Sequence, residues 1–485
     1  MKPEGIFILA ALLFGALFLA LTPPLQAPDE WSHFFRAYQL SEGHILAEKD
    51  ASGLPGRRLP TSLIVTALSL FHNIPFTPEN GPRIRDLMQR GESPNQELNP
   101  FTPEKKLNKK HTILSLFRVP LEGSNRVRVY FPGSSIYPPL SHLPQAAGIA
   151  LGRLFNAPPV LLIYMGRAFN LLCWAFLAYL AIKVTPVFKR VFVLLALTPT
   201  SLFLASSLSA DALTNGLSLL LIAVFLRHAF EEGLQAPAIL GLQAPAILGG
   251  RAMLLMFSLT MALSLTKSYF LLPCLFLLIP DEKAGDRRRY YAFFALLLIM
   301  SIASVAVWGL VVRDMFAPLR PDVSMTGQLG FISGQPLGFL SALGKTFYLS
   351  GLAIARHMAG QLGHFDISLP KALILLHWTV LILAALTSGR KDIGLSLKGK
   401  SVISIVLIFS AGIMSFFIYL TWTPVGGGVI EGIQGRYFIP LVPLFLLLFY
   451  NRRLSLATSR LNPVLAVYAA FILSSAAYTI LRGYY

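Results

Sequence analysis

The chain has 485 residues, of which 54% are hydrophobic and only 13% are charged, and its mean hydropathy is +0.62. A soluble globular protein carries about 25% charged residues, so this composition excludes an ordinary soluble domain and predicts a membrane protein. The 41 basic and 23 acidic residues give a net charge of +18. Because basic residues collect in short cytoplasmic loops, their positions indicate which side of the membrane each loop faces.

The first apolar run, 6–21, is predicted to be a transmembrane helix, and 1–22 is taken as the first structural unit. A signal peptide would need a cleavage site of the small-x-small type, and Thr22, Pro23 and Pro24 supply none. We therefore expect this helix to be retained, with its N-terminus in the cytoplasm.

The second unit, 23–159, is predicted to be a large loop outside the cytoplasm that forms a small cap over the helices. Its apolar stretch 137–156 is interrupted by prolines, so we expect an interfacial helix there rather than a span. Proline and glycine divide the rest of the loop into helix-like pieces. These pieces are 29–48, 59–72, 80–91 and 105–118.

The third unit, 160–485, is predicted to hold about ten further transmembrane helices, since a spanning helix needs roughly 20 mostly apolar residues. Each inward span ends in basic residues, which places the C-terminus outside. The predicted fold class is an all-α polytopic membrane protein, a bundle of about 11 transmembrane helices. The ten spans are 160–183, 191–209, 212–230, 252–266, 269–280, 290–312, 368–388, 401–421, 437–450 and 463–482.

The pair 252–266 and 269–280 can also form one long helix. A single helix would reverse the orientation of every later span and put the arginine run that begins at Arg287 outside. That placement contradicts the bias of basic residues toward the cytoplasm. We therefore prefer two short helices with a break at Lys267.

A perfect repeat of eight residues follows the 212–230 span. It occupies 233–240 and again 241–248. Eight residues are too few for a repeat architecture, so we interpret it as a tolerated duplication in a cytoplasmic loop.

Several acidic residues are predicted to lie at the outer face of the membrane. Asp29 and Glu30 come just after the first helix, and Asp211 stands at the outer end of the 191–209 span. A carboxylate at this low-dielectric boundary is a candidate general base. The alternative for Asp29 and Asp211 is simple capping of the helices that follow them. Convergence of these acids on one cleft favours a catalytic or metal site.

Basic residues are predicted on the same side, within or beside the spans. They are Arg36, Arg167, Lys267 and Arg436. Charges in such places are costly and usually face a cavity or a ligand, and this set suits a phosphate or pyrophosphate group. Snorkelling toward the interface is the alternative for each of them. The chain has no Walker loop and no His-Glu-x-x-His motif, which argues against ATP-driven transport and against a zinc site of the usual spacing.

Five motifs stand together on the predicted outer side: Pro28-Asp-Glu-Trp-Ser-His-Phe-Phe-Arg-Ala-Tyr38, Ser209-Ala-Asp-Ala-Leu213, Lys267-Ser-Tyr269, Gly360-Gln-Leu-Gly-His-Phe-Asp366 and Gly435-Arg-Tyr-Phe-Ile-Pro440. In this combination the sequence resembles the GT-C superfamily of membrane glycosyltransferases. More narrowly, it resembles a bacterial family of predicted membrane proteins labelled a domain of unknown function. The resemblance covers nearly the whole chain and implies a GT-C-like helical bundle with a large helical first loop outside the cytoplasm.

The resemblance implies inverting transfer of a sugar from a polyprenyl-phosphate-linked donor to an acceptor, which is a cell-envelope glycan or a lipid. It implies Asp29 as the base, or Glu30 if the pair is offset by one. Asp211 and His33 would assist the acceptor or a metal, and a divalent cation (Mg or Mn) held by Asp29 and Asp211 is left open. The residues implied to hold the donor phosphate are Arg436, Lys267, Arg167, Tyr269 and Arg36.

The resemblance also implies a cellular location and binding partners for the protein. It predicts a bacterial inner (cytoplasmic) membrane protein whose site faces the periplasm or cell exterior. The expected partners are the lipid bilayer, the donor and the acceptor, and no nucleic acid. A transporter or flippase of lipid-linked glycans is an alternative, and so is a glycan polymerase or ligase. Transport predicts internal repeats, and we find none relating the two halves of the chain.

Overall fold

The computed structural model describes residues 1–89, 109–230, 248–267, 269, 271–318, 320–390, 392–454 and 458–485. The ends of the predicted helices at 80–91 and 105–118, and nearly all of the tandem repeat, lie outside these residues. The structure is 70% helical with little strand, which agrees with an all-α membrane protein.

A cap follows the first helix, α1 (Pro3–Leu21), as the sequence predicts. The cap also contains a three-stranded antiparallel sheet that the sequence did not predict. The predicted helix 29–48 stops at Ser41 because Gly43, with φ of 83°, turns the chain, and the following residues pair as strands. The cap elements are α2 (Glu30–Ser41), β1 (Glu48–Lys49), β2 (Pro55–Pro60), α3 (Thr61–Phe71), α4 (Gly81–Gln89), α5 (Lys110–Leu116), β3 (Arg126–Tyr130), α6 (Pro132–Ser135) and α7 (Leu143–Leu154).

The cap has its own hydrophobic core, which continues into the bundle. Leu59 of β2 and Phe34 of α2 are fully buried, together with Leu162 and Ile163. These last two residues belong to the first turns of α8 (Pro159–Val184), a helix of 26 residues. At 1.5 Å per residue, α8 is about 39 Å long, more than the roughly 30 Å of a bilayer core. Its first turns therefore rise out of the bundle and anchor the cap.

The bundle continues from α8 with helices of unequal length. Its two very short strands form a hairpin near the site described below. The elements are α9 (Lys189–Ala196), α10 (Pro199–Ala205), α11 (Asp211–Phe230), α12 (Gly250–Ser264), α13 (Arg287–Val312), α14 (Met325–Gly334), α15 (Pro336–Ala359), β4 (Gln361–Leu362), β5 (Ile367–Ser368), α16 (Lys371–Thr387), α17 (Leu397–Trp422), α18 (Val442–Leu447) and α19 (Thr458–Tyr484), with 3₁₀ segments at Pro139–His142, Leu272–Leu278, Asp281–Ala284, Arg313–Met315 and Gly435–Leu441.

Among the described residues, 7 helices are long and apolar enough to cross a membrane, namely α1, α8, α11, α13, α15, α17 and α19. Several of the shorter predicted spans are broken instead. Pro199, Pro273 and Pro440 fall inside them, and proline removes a backbone donor and blocks a continuous helix. Helix α12 ends at Ser264 and a 3₁₀ segment follows, so the expected break at Lys267 is confirmed.

Helix α15 is the main element that the sequence did not predict, since no span was expected between 312 and 368. Its 24 residues include Lys345, Arg356 and His357, which hide its apolar character in the sequence. The Ile430 backbone N–H donates to Thr346 Oγ1 at 2.8 Å, so the loop after α17 packs along this helix.

Helices α1 and α19 run in the same direction. Asn462 Nδ2 donates to the Met1 carbonyl at 3.0 Å, and Tyr484 OH donates to the Gln26 carbonyl at 3.3 Å. The first contact joins the N-terminal ends of the two helices, and the second joins the C-terminal end of α19 to the segment just after α1. The end of the chain therefore lies on the cap side, as the sequence predicts.

Candidate active site

Asp29 occupies the turn that joins α1 to the cap. Its backbone is left-handed, with φ of 58°, and Leu25 in the same turn has φ of 65°. Residues that hold such strained conformations often cluster at functional sites. The Asp29 carboxylate makes no capping hydrogen bond to α2, so the capping alternative does not hold for it.

The Asp29 carboxylate instead accepts a hydrogen bond from Arg436, with Oδ2 at 2.5 Å from Nη2. The opposite edge of the guanidinium lies near Asp211, with Nη1 at 3.5 Å from Oδ2. The other Asp211 oxygen, Oδ1, forms an ion pair with Lys267 Nζ. Asp29, Arg436, Asp211 and Lys267 thus form one continuous charge cluster built from four distant parts of the chain.

Exposure within the charge cluster is unequal. The Asp29 side chain is 60% exposed, whereas the side chains of Arg436 and Asp211 are each only 6% exposed. Lys267 is also largely buried. Asp29 is therefore the member of the cluster that an incoming molecule reaches most easily.

Aromatic rings enclose the two cations of the cluster. Lys267 Nζ lies 4.7 Å from the centroid of the Tyr437 ring and 5.8 Å from that of Tyr137. The Arg436 guanidinium lies 5.2 Å from the Tyr437 ring. Tyr269 OH donates to the Tyr437 backbone carbonyl, so it holds the 3₁₀ segment that carries Arg436. Cation–π contacts of this kind stabilise buried positive charge.

The loop before α11 is fixed by buried side chains, and this fixes Asp211. Asn170 Nδ2 donates to the Ser207 and Ser209 carbonyls at 2.7 and 3.1 Å. Gln145 Nε2 donates to the Ser209 carbonyl at 3.2 Å, and Ser209 Oγ accepts from the Asp211 backbone N–H at 3.2 Å. The Asp211 carboxylate is thereby presented to Lys267 and Arg436.

Glu30, the neighbour of Asp29, lies in a different environment. It forms a bidentate ion pair with Arg167, with both oxygens 2.7 Å from guanidinium nitrogens, and both side chains are fully buried. Arg167 also donates to the Thr22 and Pro23 carbonyls at 2.7 and 2.9 Å, and Glu30 accepts from the Leu208 backbone N–H at 3.0 Å. The pair closes the junction of α1, α2, α8 and the loop before α11, and it is inaccessible to a substrate.

Both neighbouring carboxyl groups are held in the ionised form. For Asp29, protein groups close around the site and desolvation raises the pKa, but the charge of Arg436, helped by the Arg436 hydrogen bond, outweighs this and keeps the pKa below its ordinary value. For Glu30, burial again raises the pKa, and the charge and hydrogen bonds of Arg167 keep it below 4.5. At neutral pH both groups are carboxylates.

His33 lies one helical turn after Asp29 and is neutral. Burial is the main reason that its pKa falls to about 4, against the opposing charge of Asp29. Its Nδ1 lies 2.8 Å from Nε2 of His142, and Tyr137 packs edge-on against both rings. These three side chains form the wall of the site beside Asp29.

Arg36 lies apart from the charge cluster. Its guanidinium donates to Gln39 Oε1 at 2.9 Å, to the Ile45 carbonyl at 2.8 Å and to the Tyr137 carbonyl at 3.1 Å. It is fully buried by these contacts and positions the backbone of Tyr137.

The structure therefore brings together only some of the predicted site residues. It joins Asp29, Asp211, Lys267 and Arg436, with His33 and Tyr269 beside them, and it separates Glu30, Arg167 and Arg36 from this group. Three further residues complete the site, and the sequence analysis gave none of them a role: Tyr137, His142 and Tyr437. Tyr437 stands inside a quoted motif, and the other two lie in the predicted interfacial stretch 137–156.

The donor set does not fit a divalent cation. No group of three or more His, Cys, Asp and Glu side chains in the described part of the chain is placed to hold a metal ion. Asp29 and Asp211 are bridged by the Arg436 guanidinium, and both oxygens of Asp211 face cations. Positive charge already occupies the place that a metal would take.

The sequence model of a family described as "Predicted membrane protein (DUF2142)" matches residues 12–445. The chain belongs to this family. No curated protein and no solved structure matches the chain. The match runs from α1 into α18, so every member of the charge cluster lies within the family region, and the expected resemblance to a family of predicted membrane proteins is confirmed.

The Glu30–Arg167 pair yields a prediction on stability. Glu30→Gln leaves the Arg167 charge buried without its partner, which costs about 3–5 kcal/mol. We expect a large fall in the thermal unfolding midpoint of the purified protein in detergent. The matched control is Glu431→Gln, which breaks an exposed ion pair with Arg320 (side chains 49% and 39% exposed) and should barely change the midpoint, because solvent screens exposed pairs. Equal midpoints for the two variants would show that the Glu30–Arg167 pair does not contribute more to stability than an exposed ion pair.

Proposed function

We propose that this protein is an inverting GT-C-type glycosyltransferase that moves a sugar from a polyprenyl-phosphate-linked donor to an acceptor, a cell-envelope glycan or a lipid. The proposal depends on the accessible carboxylate of Asp29, which follows the apolar helix α1. This carboxylate accepts a hydrogen bond at 2.5 Å from the buried guanidinium of Arg436. A base for the acceptor hydroxyl and cations for a phosphate leaving group are the two requirements of this reaction.

In the proposed step, the acceptor hydroxyl oxygen attacks the anomeric carbon of the donor sugar. Its proton passes to the Asp29 carboxylate, which is ionised at neutral pH. The bond between the anomeric carbon and the phosphate oxygen breaks, and its electron pair leaves on the polyprenyl phosphate. A single displacement inverts the anomeric carbon and needs no covalent intermediate.

Arg436 and Lys267 are the proposed partners of the donor phosphate. Arg436 offers planar donors that suit phosphate, and Lys267 lies at the other end of the same charge cluster. A phosphate that takes up Arg436 Nη2 offsets the Arg436 charge and removes the Asp29–Arg436 hydrogen bond, the two effects that hold the Asp29 pKa down. Asp29 then becomes a stronger base when the donor is bound, so Arg436 couples donor binding to base strength.

The remaining implied residues receive supporting roles in the proposal. Glu30 and Arg167 lock the junction beside the site, Arg36 positions Tyr137, and Tyr269 holds the segment that carries Arg436. Asp211 orients the two cations. We place the protein in the bacterial cytoplasmic membrane with the cap and Asp29 on the outer face, since the basic loops lie on the opposite side.

The first functional prediction concerns Asp29→Asn. Asparagine tolerates the left-handed backbone at this position, so the variant keeps the turn while it loses the base. We expect turnover to fall at least about a hundredfold, the usual contribution of a general base. The measurement is release of radiolabelled sugar from a polyprenyl-phosphate-sugar pool by purified protein in detergent.

The control for this experiment is Asp366→Asn, which changes an exposed acid of the β4–β5 turn outside the charge cluster. It should retain turnover. If Asp29→Asn folds normally and turns over at the wild-type rate, Asp29 is not the base. A transporter would instead move lipid-linked glycan across proteoliposomes without hydrolysis or transfer, and in that case Asp29→Asn would alter only affinity.

The second prediction concerns pH. The Asp29 pKa lies below its ordinary value, so the base is ionised throughout the neutral range, and His33, with a pKa of about 4, stays uncharged there. The fall of kcat/KM at acidic pH marks the pKa of the base in the free enzyme. Because the Asp29 pKa lies below the range measured, we expect kcat/KM to be flat from about pH 5.5 to pH 8. A limb near pH 6.5, the ordinary value of histidine, would assign the base to a different group.

The third prediction concerns metal. Because Arg436 and Lys267 already neutralise the site, we propose that transfer requires no divalent cation. An excess of EDTA should leave the rate of sugar release unchanged, and added Mg²⁺ or Mn²⁺ should not raise it. Loss of activity in EDTA that Mn²⁺ restores would contradict this arrangement of charges.

A further inference from the structure

A second charged site lies on the cap, away from the charge cluster. Four arginines line a cavity of about 450 Å³ there, and we name this cavity the arginine cleft. It draws on β2, β3 and α7, so the fold of the cap, rather than one basic stretch of sequence, assembles it. The four arginines are Arg57, Arg58, Arg126 and Arg153.

The arginine cleft carries more positive than negative charge. Glu42 accepts a bidentate contact from Arg126 at 2.6 and 3.0 Å and lies 3.5 Å from Arg153. Glu48 pairs with Arg57 at 2.7 Å. The lining therefore holds four arginines against two carboxylates, an excess of two positive charges. Within the described residues Arg58 has no carboxylate partner and is exposed.

The strand register places a further arginine directly against Arg58. Arg58 of β2 pairs with Arg128 of β3, and the two side chains leave the same face of the sheet. Like charges directly opposite each other destabilise an antiparallel pair. Arg126, two residues away, adds a third arginine to that face. Arg128 lies 3.5 Å from Glu48 and 3.6 Å from Asp50, and Arg126 is paired with Glu42. Arg58 is therefore the arginine of this face whose charge a bound anion would neutralise.

Two helices connect the arginine cleft with Asp29. Helix α2 starts beside Asp29 and ends beside Glu42, and α7 starts beside His142 and carries Arg153 in its last turn. Both helices therefore run from the charge cluster to the cleft. Glu42 stands thirteen positions after Asp29, which at 1.5 Å per residue puts the two sites about 20 Å apart.

We propose that the arginine cleft binds phosphate or carboxylate groups on an extended acceptor glycan whose hydroxyl end reaches Asp29. The glycan's role as acceptor depends on the proposed function, whereas binding in the cleft does not. Guanidinium groups bind such anions through paired hydrogen bonds. Helix α7 packs antiparallel along the first turns of α8, with Gly148 against Met165 and Gly152 against Leu162. Arg153 lies eight residues beyond Gln145, which contacts the loop before Asp211, so the cleft stands about 12 Å beyond the level of the charge cluster. That distance favours a glycan chain over a lipid headgroup.

The test is a direct binding measurement that needs no turnover. Full-length protein in nanodiscs of neutral lipid is titrated with an oligogalacturonate, a carboxylate-bearing glycan, and with a neutral dextran of equal length. We expect saturable binding of the oligogalacturonate alone, weakened by added salt. Arg58→Gln removes one charged contact and should weaken binding about tenfold, and Arg58→Glu should weaken it further. The matched control is Arg118→Gln, an exposed arginine of the cap outside the cleft, which should bind as wild type does.

Three results would overturn the proposal. One is equal affinity of wild type and Arg58→Glu, with unfolding midpoints that show both to be folded. A second is the absence of any saturable oligogalacturonate binding. The third is binding that depends on Arg58 for a soluble short-chain phosphatidylglycerol but not for the glycan, which would assign the cleft to a lipid headgroup. Because Asp29→Asn should bind the oligogalacturonate normally, a failure of the transferase proposal is distinguishable from a failure of this one.

Discussion

The buried ion pair between Glu30 and Arg167 is the contact on which the rest of the site depends. Removing two charges from water is costly, and the pair persists because backbone carbonyls and amides satisfy its remaining hydrogen-bonding groups. Those backbone groups belong to the end of α1 and to the loop before α11. The pair therefore fixes in one place the two segments that carry Asp29 and Asp211, and the cap cannot move independently of the bundle at this junction.

Once that junction is fixed, the charge cluster follows from simple electrostatics. Two carboxylates and two cations neutralise each other in a region where an unpaired charge would be expensive. Asp29 is by far the most exposed member, so an entering anion meets the cluster at the Asp29–Arg436 contact. The same contact that stabilises the resting site is the one that a phosphate would replace, and this gives the site a means of responding to its substrate.

The cap extends this site away from the membrane. Its small sheet brings Arg58 and Arg128 together, while α2 and α7 connect that sheet to the residues around Asp29. Arg128 is paired there with Glu48 and Asp50, whereas Arg58 is exposed and has no carboxylate partner among the described residues. In the proposed complex a long ligand is held at both ends, with its charged part far from the reacting group.

The sequence by itself determined the membrane class, the cap, the break at Lys267 and the cap-side location of Asp29 and Arg436, because composition, apolar runs and prolines act locally. It did not determine which of the adjacent acids is accessible. Asp29 stands in a left-handed turn and Glu30 begins α2, so their side chains point in different directions, and only the packing of α8 decides which one is buried. Partners distant in sequence, such as Asp29 and Arg436, are chosen by tertiary packing, which no local pattern records.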